Sequence, residues 1–153
     1  MLNRLQGVFA SLHRHNVKYV VIGGIAAVLH GVPRVTFDLD ILIEATPENA
    51  QRLLDALLEE RFGTAALTSA QGILAHEITV FKDWVRIDVQ TSTPGLVFET
   101  AWQRRETMMY QGQEFYVVSK VDLIASKRAA GREQDLEDVR LLELDNVEAK
   151  REV

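Results

Sequence analysis

The chain has 153 residues, of which 47% are hydrophobic and 25% charged, a balance that suits one compact domain with a buried core. Its formal net charge of −5 argues against non-specific coating of nucleic acid, which depends on many basic contacts. The absence of cysteine excludes disulfides and thiolate metal sites, and no apolar run approaches the ~20 residues of a membrane span. We therefore expect a cytoplasmic domain over residues 1–145, a short tail over 146–153, and no membrane association.

Hydrophobic residues at helical spacing predict an amphipathic first helix over residues 3–15, which Asn16 ends. Residues 20–22 form a β-branched run that predicts a short strand, and Gly23-Gly24 then leads directly into the helix-forming residues 25–29. Two glycines allow a tight turn and leave no side chains where backbone amide groups could receive a phosphate. This strand, turn and helix are therefore a candidate phosphate site.

A second strand is predicted over residues 37–43, and it carries Asp38 and Asp40. Residues two apart on a strand point to the same face with their Cα atoms ~6.6 Å apart, so these two carboxylates could hold hard divalent cations. Two-metal phosphoryl transfer needs ions ~3.5–4 Å apart, which a carboxylate pair can bridge. The spacing indicates that the strand holds the metals and the glycine turn holds the phosphates bound to them.

The rest of the chain alternates between helical periodicity and short β-branched runs. Helices are predicted from Pro47 onwards with Thr46 as N-cap, then over 96–102, from Ser119 to about residue 130, and over 133–144. Strands are predicted over 78–81, 84–89 and 115–118, whereas 63–75 and 103–113 show no clear element. Asp88 lies on the second of these strands. A third acidic residue in a sheet is costly unless a cation neutralises it, so we count Asp88 as a candidate metal ligand.

The residues that carry this pattern resemble the nucleotidyltransferase superfamily of the polymerase-beta type. Its members have an apolar strand, Gly-Gly or Gly-Ser, a helix, and then Asp-x-Asp between apolar residues, as in Gly23-Gly24 and Asp38-Leu39-Asp40. A subgroup of small bacterial proteins that includes AbiEii-type toxin nucleotidyltransferases is similar at Ala26, His30, Gly31, Arg34 and Thr36. The resemblance implies an α/β (α+β) fold with a mixed β-sheet and helices packed mainly on one face.

The resemblance also implies roles for individual residues. The expected catalytic and metal-binding set, for Mg²⁺ or Mn²⁺, is Asp38, Asp40 and Asp88. The expected nucleotide-binding set is Gly23, Gly24, Arg34, Thr36 and Lys127. Lys127-Arg128 followed by Asp135-x-x-Asp138 is similar to a second motif of the subgroup, in which the lysine reaches the triphosphate and the aspartates orient basic residues or shape the site.

Several of these residues have a plainer structural interpretation. A helical lysine such as Lys127, with acidic neighbours, is often only a surface ion-pair partner. His30 could contact the last carbonyls of its helix and not a nucleotide. Arg34 could contact phosphate or pair with Asp38. Basic clusters at Arg104-Arg105 and Lys127-Arg128 could line a groove, although such clusters are commonly solvated faces.

The function predicted is transfer of an NMP from an NTP, such as ATP, to an acceptor hydroxyl. Relatives imply that the acceptor is RNA, such as a tRNA end, or a protein, that the chain belongs to a toxin–antitoxin system, and that a homodimer or partner protein completes the site. The alternative is a non-catalytic antitoxin or nucleotide-sensing module that retains the fold. A metal-dependent phosphohydrolase would also use clustered aspartates, but it would not require the glycine turn.

Overall fold

The computed structural model describes the backbone of residues 2–151 and the side chains of residues 2–144. The described α-helices are α1 Leu2–Arg14, α2 Gly23–Leu29, α3 Pro47–Glu59, α4 Ala70–Leu74, α5 Phe98–Gln103, α6 Lys120–Ala130 and α7 Glu133–Arg151, and a 3₁₀ helix spans Gly63–Leu67. The strands are β1 Tyr19–Ile22, β2 Leu39–Ile43, β3 Ile78–Lys82, β4 Arg86–Gln90, β5 Glu106–Tyr110 and β6 Gln113–Val117. Within this part of the chain, no helix is long and apolar enough to cross a membrane.

The six strands form one mixed sheet in the order β3-β4-β2-β1-β6-β5. Strand β1 runs antiparallel to β2 and parallel to β6, and β2 runs parallel to β4. The side chains of Leu39, Ile41 and Ile43 on β2 are buried in the core, while Asp40 lies on the opposite face because strand residues alternate. The predicted mixed-sheet α/β fold is therefore confirmed.

Local sequence signals explain where several helices begin and end. The hydroxyl of Thr46 accepts a hydrogen bond from the Asn49 amide at 3.2 Å, at the start of α3. The hydroxyl of Ser119 likewise accepts from the Asp122 amide at 3.2 Å, at the start of α6. Gly131 then ends α6 in a left-handed conformation with φ of 68°. These three boundaries match the sequence predictions.

The predicted strand over 37–43 is shorter than expected, because β2 begins at Leu39. Ile22 is the last residue of β1 and pairs with Asp40, so the turn at Gly23 leaves residues 37 and 38 without a partner on β1. Phe37 accordingly has 66% of its surface exposed. Asp38 therefore precedes the strand and is not on it, which corrects the prediction that both aspartates share one strand face.

Two segments without a clear prediction form regular structure. Residues 63–75 contain the 3₁₀ helix and α4, and they lacked a helical signal because few of their side chains, among them Ala65 and Ile73, are buried. Residues 106–110 form β5, which lies at an edge of the sheet and has no fully buried side chain. In α3, helical spacing predicts Leu58 among the buried residues, but Leu58 is 46% exposed and Ala56 is buried.

The C-terminal helix differs in length from the prediction. Helix α7 continues to Arg151, whereas the sequence predicted an end near Leu144. The predicted tail over 146–153 thus overlaps the backbone of α7, and residues 152–153 lie outside the described residues.

Candidate active site

Two of the predicted carboxylates lie on adjacent strands at the same level of the sheet. Strands β2 and β4 are parallel neighbours, and Asp40 pairs directly with Asp88 in their register. Side chains of directly paired residues point to the same face, so both carboxylates project from one side of the sheet. Asp38 is exposed and lies two residues before Asp40, close enough to affect its ionisation electrostatically. The three predicted acidic residues are therefore brought together.

The crowding of these carboxylates changes the ionisation of Asp40. Burial and the negative charges of Asp88 and Asp38 raise the pKa of Asp40 to about 7, and the cations Arg86 and Lys127 only partly offset this effect. The local excess of negative charge is what a divalent cation would neutralise, and oxygen donors are the ligands that Mg²⁺ prefers. The donor chemistry therefore fits a hard cation.

Asp88 is engaged by a neighbouring arginine. The guanidinium of Arg86 donates to both carboxylate oxygens of Asp88, at 2.8 Å from Nε and 3.2 Å from Nη2. In these rotamers the described side chains include no group of three histidine or acidic residues arranged to hold a metal ion. Completing a metal site from Asp38, Asp40 and Asp88 would therefore require these side chains to rearrange. The sequence predicts that Arg86 and Asp88 share one strand face, because they are two residues apart, but it does not predict this pairing.

The two glycines lie directly against other predicted site residues. Gly23 has a left-handed φ of +68°, and a Cβ atom there would lie 2.6 Å from Oδ2 of Asp40. A Cβ atom on Gly24 would lie 2.9 Å from the Thr36 hydroxyl and 3.3 Å from Nη2 of Arg34. A larger residue at either position would have to displace these neighbouring side chains, and at Gly23 it would also be strained by the positive φ.

On the other side of the cavity, Asp138 binds two basic residues. One of its oxygens lies 2.8 Å from Nζ of Lys127 and also 2.8 Å from Nη2 of Arg34. Asp138 is fully buried and Lys127 is only 5% exposed, so this lysine is not a surface ion-pair partner. Asp135 lies 3.5 Å from Lys127 and binds Nε of Arg132 at 2.7 Å. Both aspartates thus orient basic residues, and Arg34 pairs with Asp138 and not with Asp38.

A cavity of about 340 Å³ lies between the sheet, the glycine turn and the last two helices. Seven of the eight predicted site residues line it, namely Gly23, Gly24, Arg34, Thr36, Asp38, Asp40 and Lys127. Asp88 is not among the lining residues. Polar residues that the sequence did not single out for the site also line it, namely Gln90, Thr93, Ser126 and Gln134. Gln90 could have been found, because it lies two residues after Asp88 on a strand and therefore on the same face.

A family model now identifies the chain. The model for DUF6036, nucleotidyltransferase of unknown function, matches residues 2–147. The chain belongs to this family. A search of curated proteins gives no match to this DUF6036 member.

Solved structures share the fold of this DUF6036 member. A candidate nucleotidyltransferase from Thermotoga maritima matches with a TM-score of 0.55 and 18% identity, covering 99% of this chain and 90% of that protein. An antigenic nucleotidyltransferase-like protein from Paracoccidioides brasiliensis matches with a TM-score of 0.57 and 18% identity, covering 92% of this chain and 73% of that protein. At this identity the likeness shows a common fold.

Other residues considered from the sequence lie away from the cavity of this DUF6036 member. His30 contacts the Val118 carbonyl through Nε2 at 2.8 Å and lies 3.3 Å from a carboxylate oxygen of Glu106, so its contacts join α2 to the sheet. Arg104 pairs with Asp122 at 3.1 Å. Arg105 stacks on the ring of Trp102 at 3.7 Å. The Arg104-Arg105 cluster is therefore engaged in contacts within the chain.

Proposed function

We propose that this chain transfers a nucleoside monophosphate from an NTP to an acceptor hydroxyl. The observation that carries the proposal is the meeting of Asp38, Asp40, the Gly23-Gly24 turn and Lys127 around one cavity. Membership of a family described as nucleotidyltransferases supports the same reaction class. Acidic residues on one wall and basic residues on the other suit a substrate whose phosphates carry both metal ions and negative charge.

Asp38 and Asp40 are the residues proposed to hold Mg²⁺ or Mn²⁺, with Asp88 as a third ligand once it leaves Arg86. Such ions would supply charge neutralisation at the phosphates and would lower the pKa of the attacking hydroxyl. The raised pKa of Asp40, about 7, supports this assignment, because burial and the negative charges of Asp88 and Asp38 outweigh the nearby cations Arg86 and Lys127.

The chain's own residues would position the triphosphate. The backbone of Gly23-Gly24 can approach phosphate oxygens because neither residue has a side chain. Lys127 and Arg34 would provide positive charge opposite, and Asp138 keeps them side by side by binding both. The acceptor oxygen would then bond to the α-phosphorus while the bond to pyrophosphate breaks, and Asp88 is the proposed acceptor of the hydroxyl proton.

The acceptor and the biological setting are a finer part of the proposal. The resemblance at the Lys127-Arg128 and Asp135-x-x-Asp138 motifs supports an AbiEii-like, toxin–antitoxin role with RNA, such as tRNA, or protein as the acceptor. Because the cavity is partly open to solvent, we further propose that a second copy or a partner protein contributes to acceptor binding.

Label transfer tests this proposal. The purified chain is incubated with each α-³²P-labelled NTP, Mg²⁺ or Mn²⁺, and RNA and protein extracts. We expect label on one acceptor class and a loss of at least ~100-fold in the Asp38→Asn/Asp40→Asn double variant, since metal-assisted charge stabilisation is worth several kcal/mol. The matched control is Asp55→Asn, an exposed carboxylate on α3 outside the cavity. Full transfer by the double variant would refute the mechanism.

A second candidate is a nucleotide-binding module without catalysis. The observation that favours it is the engagement of both Asp88 oxygens by Arg86. Such a module would bind an NTP in calorimetry yet transfer no label to any acceptor. An Arg86→Met variant separates the two candidates further. If the engagement of Asp88 is the only reason why the chain transfers no label, freeing Asp88 in this variant should make transfer detectable.

A further inference from the structure

The lining of the cavity contains both charged and uncharged polar side chains. Next to the glycine turn it is charged, with Arg34 and Lys127 close by. Towards the end of β4 it contains the uncharged polar residues Gln90 and Thr93. Charged donors suit phosphate oxygens, whereas amides and hydroxyls suit neutral hydroxyl groups. An NTP has the same division between its triphosphate and its nucleoside.

Gln90 is placed to face a ligand. It pairs with Leu42 in the β2–β4 register, two residues beyond the pair Asp40 and Asp88, and it therefore shares their face of the sheet. Among the described residues its side-chain amide has no hydrogen-bond partner, although the residue is partly buried. A polar group in this setting is normally satisfied by water or by a ligand.

Thr93 lies on a segment that is fixed at both ends. At one end, the Thr91 amide donates to the Glu77 carbonyl at 2.9 Å, and the Thr91 hydroxyl donates to the His76 carbonyl at 2.8 Å. At the other end, Gly95 has a φ of +75° and packs so closely on α6 that a Cβ atom would lie 2.7 Å from the Ala125 carbonyl. Thr93 lines the cavity between these anchors, so its backbone is held in place.

We propose that Gln90 and Thr93 bind the ribose hydroxyls of the NTP, so that the triphosphate points towards the Gly23-Gly24 turn. This inference rests on the proposed function and adds the orientation of the substrate. Ribose is favoured over the base because no aromatic side chain is among the described residues that line the cavity, and a base normally stacks on one. Gln90 and Thr93 are thus positioning residues for the nucleoside half of the substrate.

Calorimetry with two ligands tests the inference. Mg-ATP contains the nucleoside, whereas Mg-tripolyphosphate lacks it. For Gln90→Leu and for Thr93→Val we expect the Kd of ATP to rise about fivefold, as for loss of one hydrogen bond, while the Kd of tripolyphosphate stays within about twofold. Thr93→Ser keeps the hydroxyl and should retain ATP affinity. The matched control is Ser92→Ala, which removes an exposed hydroxyl next to the cavity without lining it.

The sugar hydroxyls themselves are tested with 2′-deoxyATP and 3′-deoxyATP. At least one of these analogues should bind wild type with a higher Kd than ATP does. In Gln90→Leu or Thr93→Val, the Kd of that analogue and the Kd of ATP should be closer to each other. Equal weakening of ATP and tripolyphosphate would show an effect on cavity shape alone and would overturn the inference. Unchanged ATP affinity in both variants, with unchanged thermal midpoints, would also overturn it. If wild type binds neither ligand, the proposed function itself fails; binding of tripolyphosphate with no added affinity for ATP would refute only the ribose site.

Discussion

Replacing Asp40 with asparagine should stabilise the metal-free protein above pH 7. Burial, Asp88 and Asp38 raise the pKa of Asp40 from 3.8 to about 7 in the folded state. A carboxyl with a raised pKa contributes stability that is fully present below its unfolded pKa and is lost as the pH rises through about 7. At 1.36 kcal/mol per pH unit, ionised Asp40 therefore destabilises the fold by at most about 4 kcal/mol.

The gain from Asp40→Asn should be smaller than this limit, because the asparagine amide must also be buried. We expect an increase of about 1–3 kcal/mol in the free energy of unfolding at pH 8, shrinking steadily towards pH 4. Urea unfolding in EDTA, measured at several pH values, gives the difference directly. Asp55→Asn, at an exposed site, should change stability by less than about 0.5 kcal/mol at every pH.

Magnesium should reverse the order of stability of wild type and Asp40→Asn. Millimolar Mg²⁺ should raise the unfolding free energy of wild type, because the ion binds only the folded state, and should have little effect on Asp40→Asn. A variant that is less stable than wild type at pH 8 in EDTA, or a gain that does not depend on pH, would refute the reasoning from crowded carboxylates.

Three further substitutions probe the rest of the site. Gly23→Ala should lower the free energy of unfolding by about 1–3 kcal/mol in thermal unfolding. The loss should exceed that of Gly112→Ala, because Gly112 has a similar φ of +81° but nothing within 4 Å of the added Cβ. Equal losses would mean that backbone strain alone acts. Asp138→Asn should cost about 3–5 kcal/mol in urea unfolding, because two basic groups lose a buried counter-ion, and a loss below 1 kcal/mol would contradict this role. Arg86→Met should tighten Mg²⁺ binding about two- to fivefold in calorimetry by releasing Asp88, and weaker binding would show that Arg86 supports the metal site.

The core of the candidate site could be predicted because its signals are local in sequence. A β-branched run ending in Gly23-Gly24 reports a strand and a turn within six residues, and Asp38-x-Asp40 follows after one short helix. The caps at Thr46 and Ser119 are equally local. Such signals depend on backbone conformation over a few residues. The fold class and the assignment of Arg34, Thr36 and Lys127 to the site depend instead on the resemblance that these motifs carry, and seven of the eight predicted site residues line the cavity.

The parts that could not be predicted depend on contacts between distant segments. The start of β2 is set by where β1 ends, since Asp40 needs Ile22 as its partner. The pairing of Arg34 with Asp138 joins residues 104 positions apart, and no periodicity reports it. Edge strand β5 buries no side chain fully, so its sequence lacks the alternation that identifies a strand.

The charges around the cavity explain why its two walls need a substrate or ion to become neutral. On the helical side, three cations, Lys127, Arg34 and Arg132, face two carboxylates, Asp135 and Asp138, and one positive charge remains. On the sheet side, Asp38, Asp40 and Asp88 carry three negative charges when all are ionised, their neighbour Arg86 carries one positive charge, and two negative charges remain. A divalent cation would neutralise the sheet side, and a phosphate group would meet both the cation and the remaining positive charge. Because these opposite excesses lie on facing walls, a metal-bound triphosphate complements the cavity better than a free phosphate or a metal ion alone would.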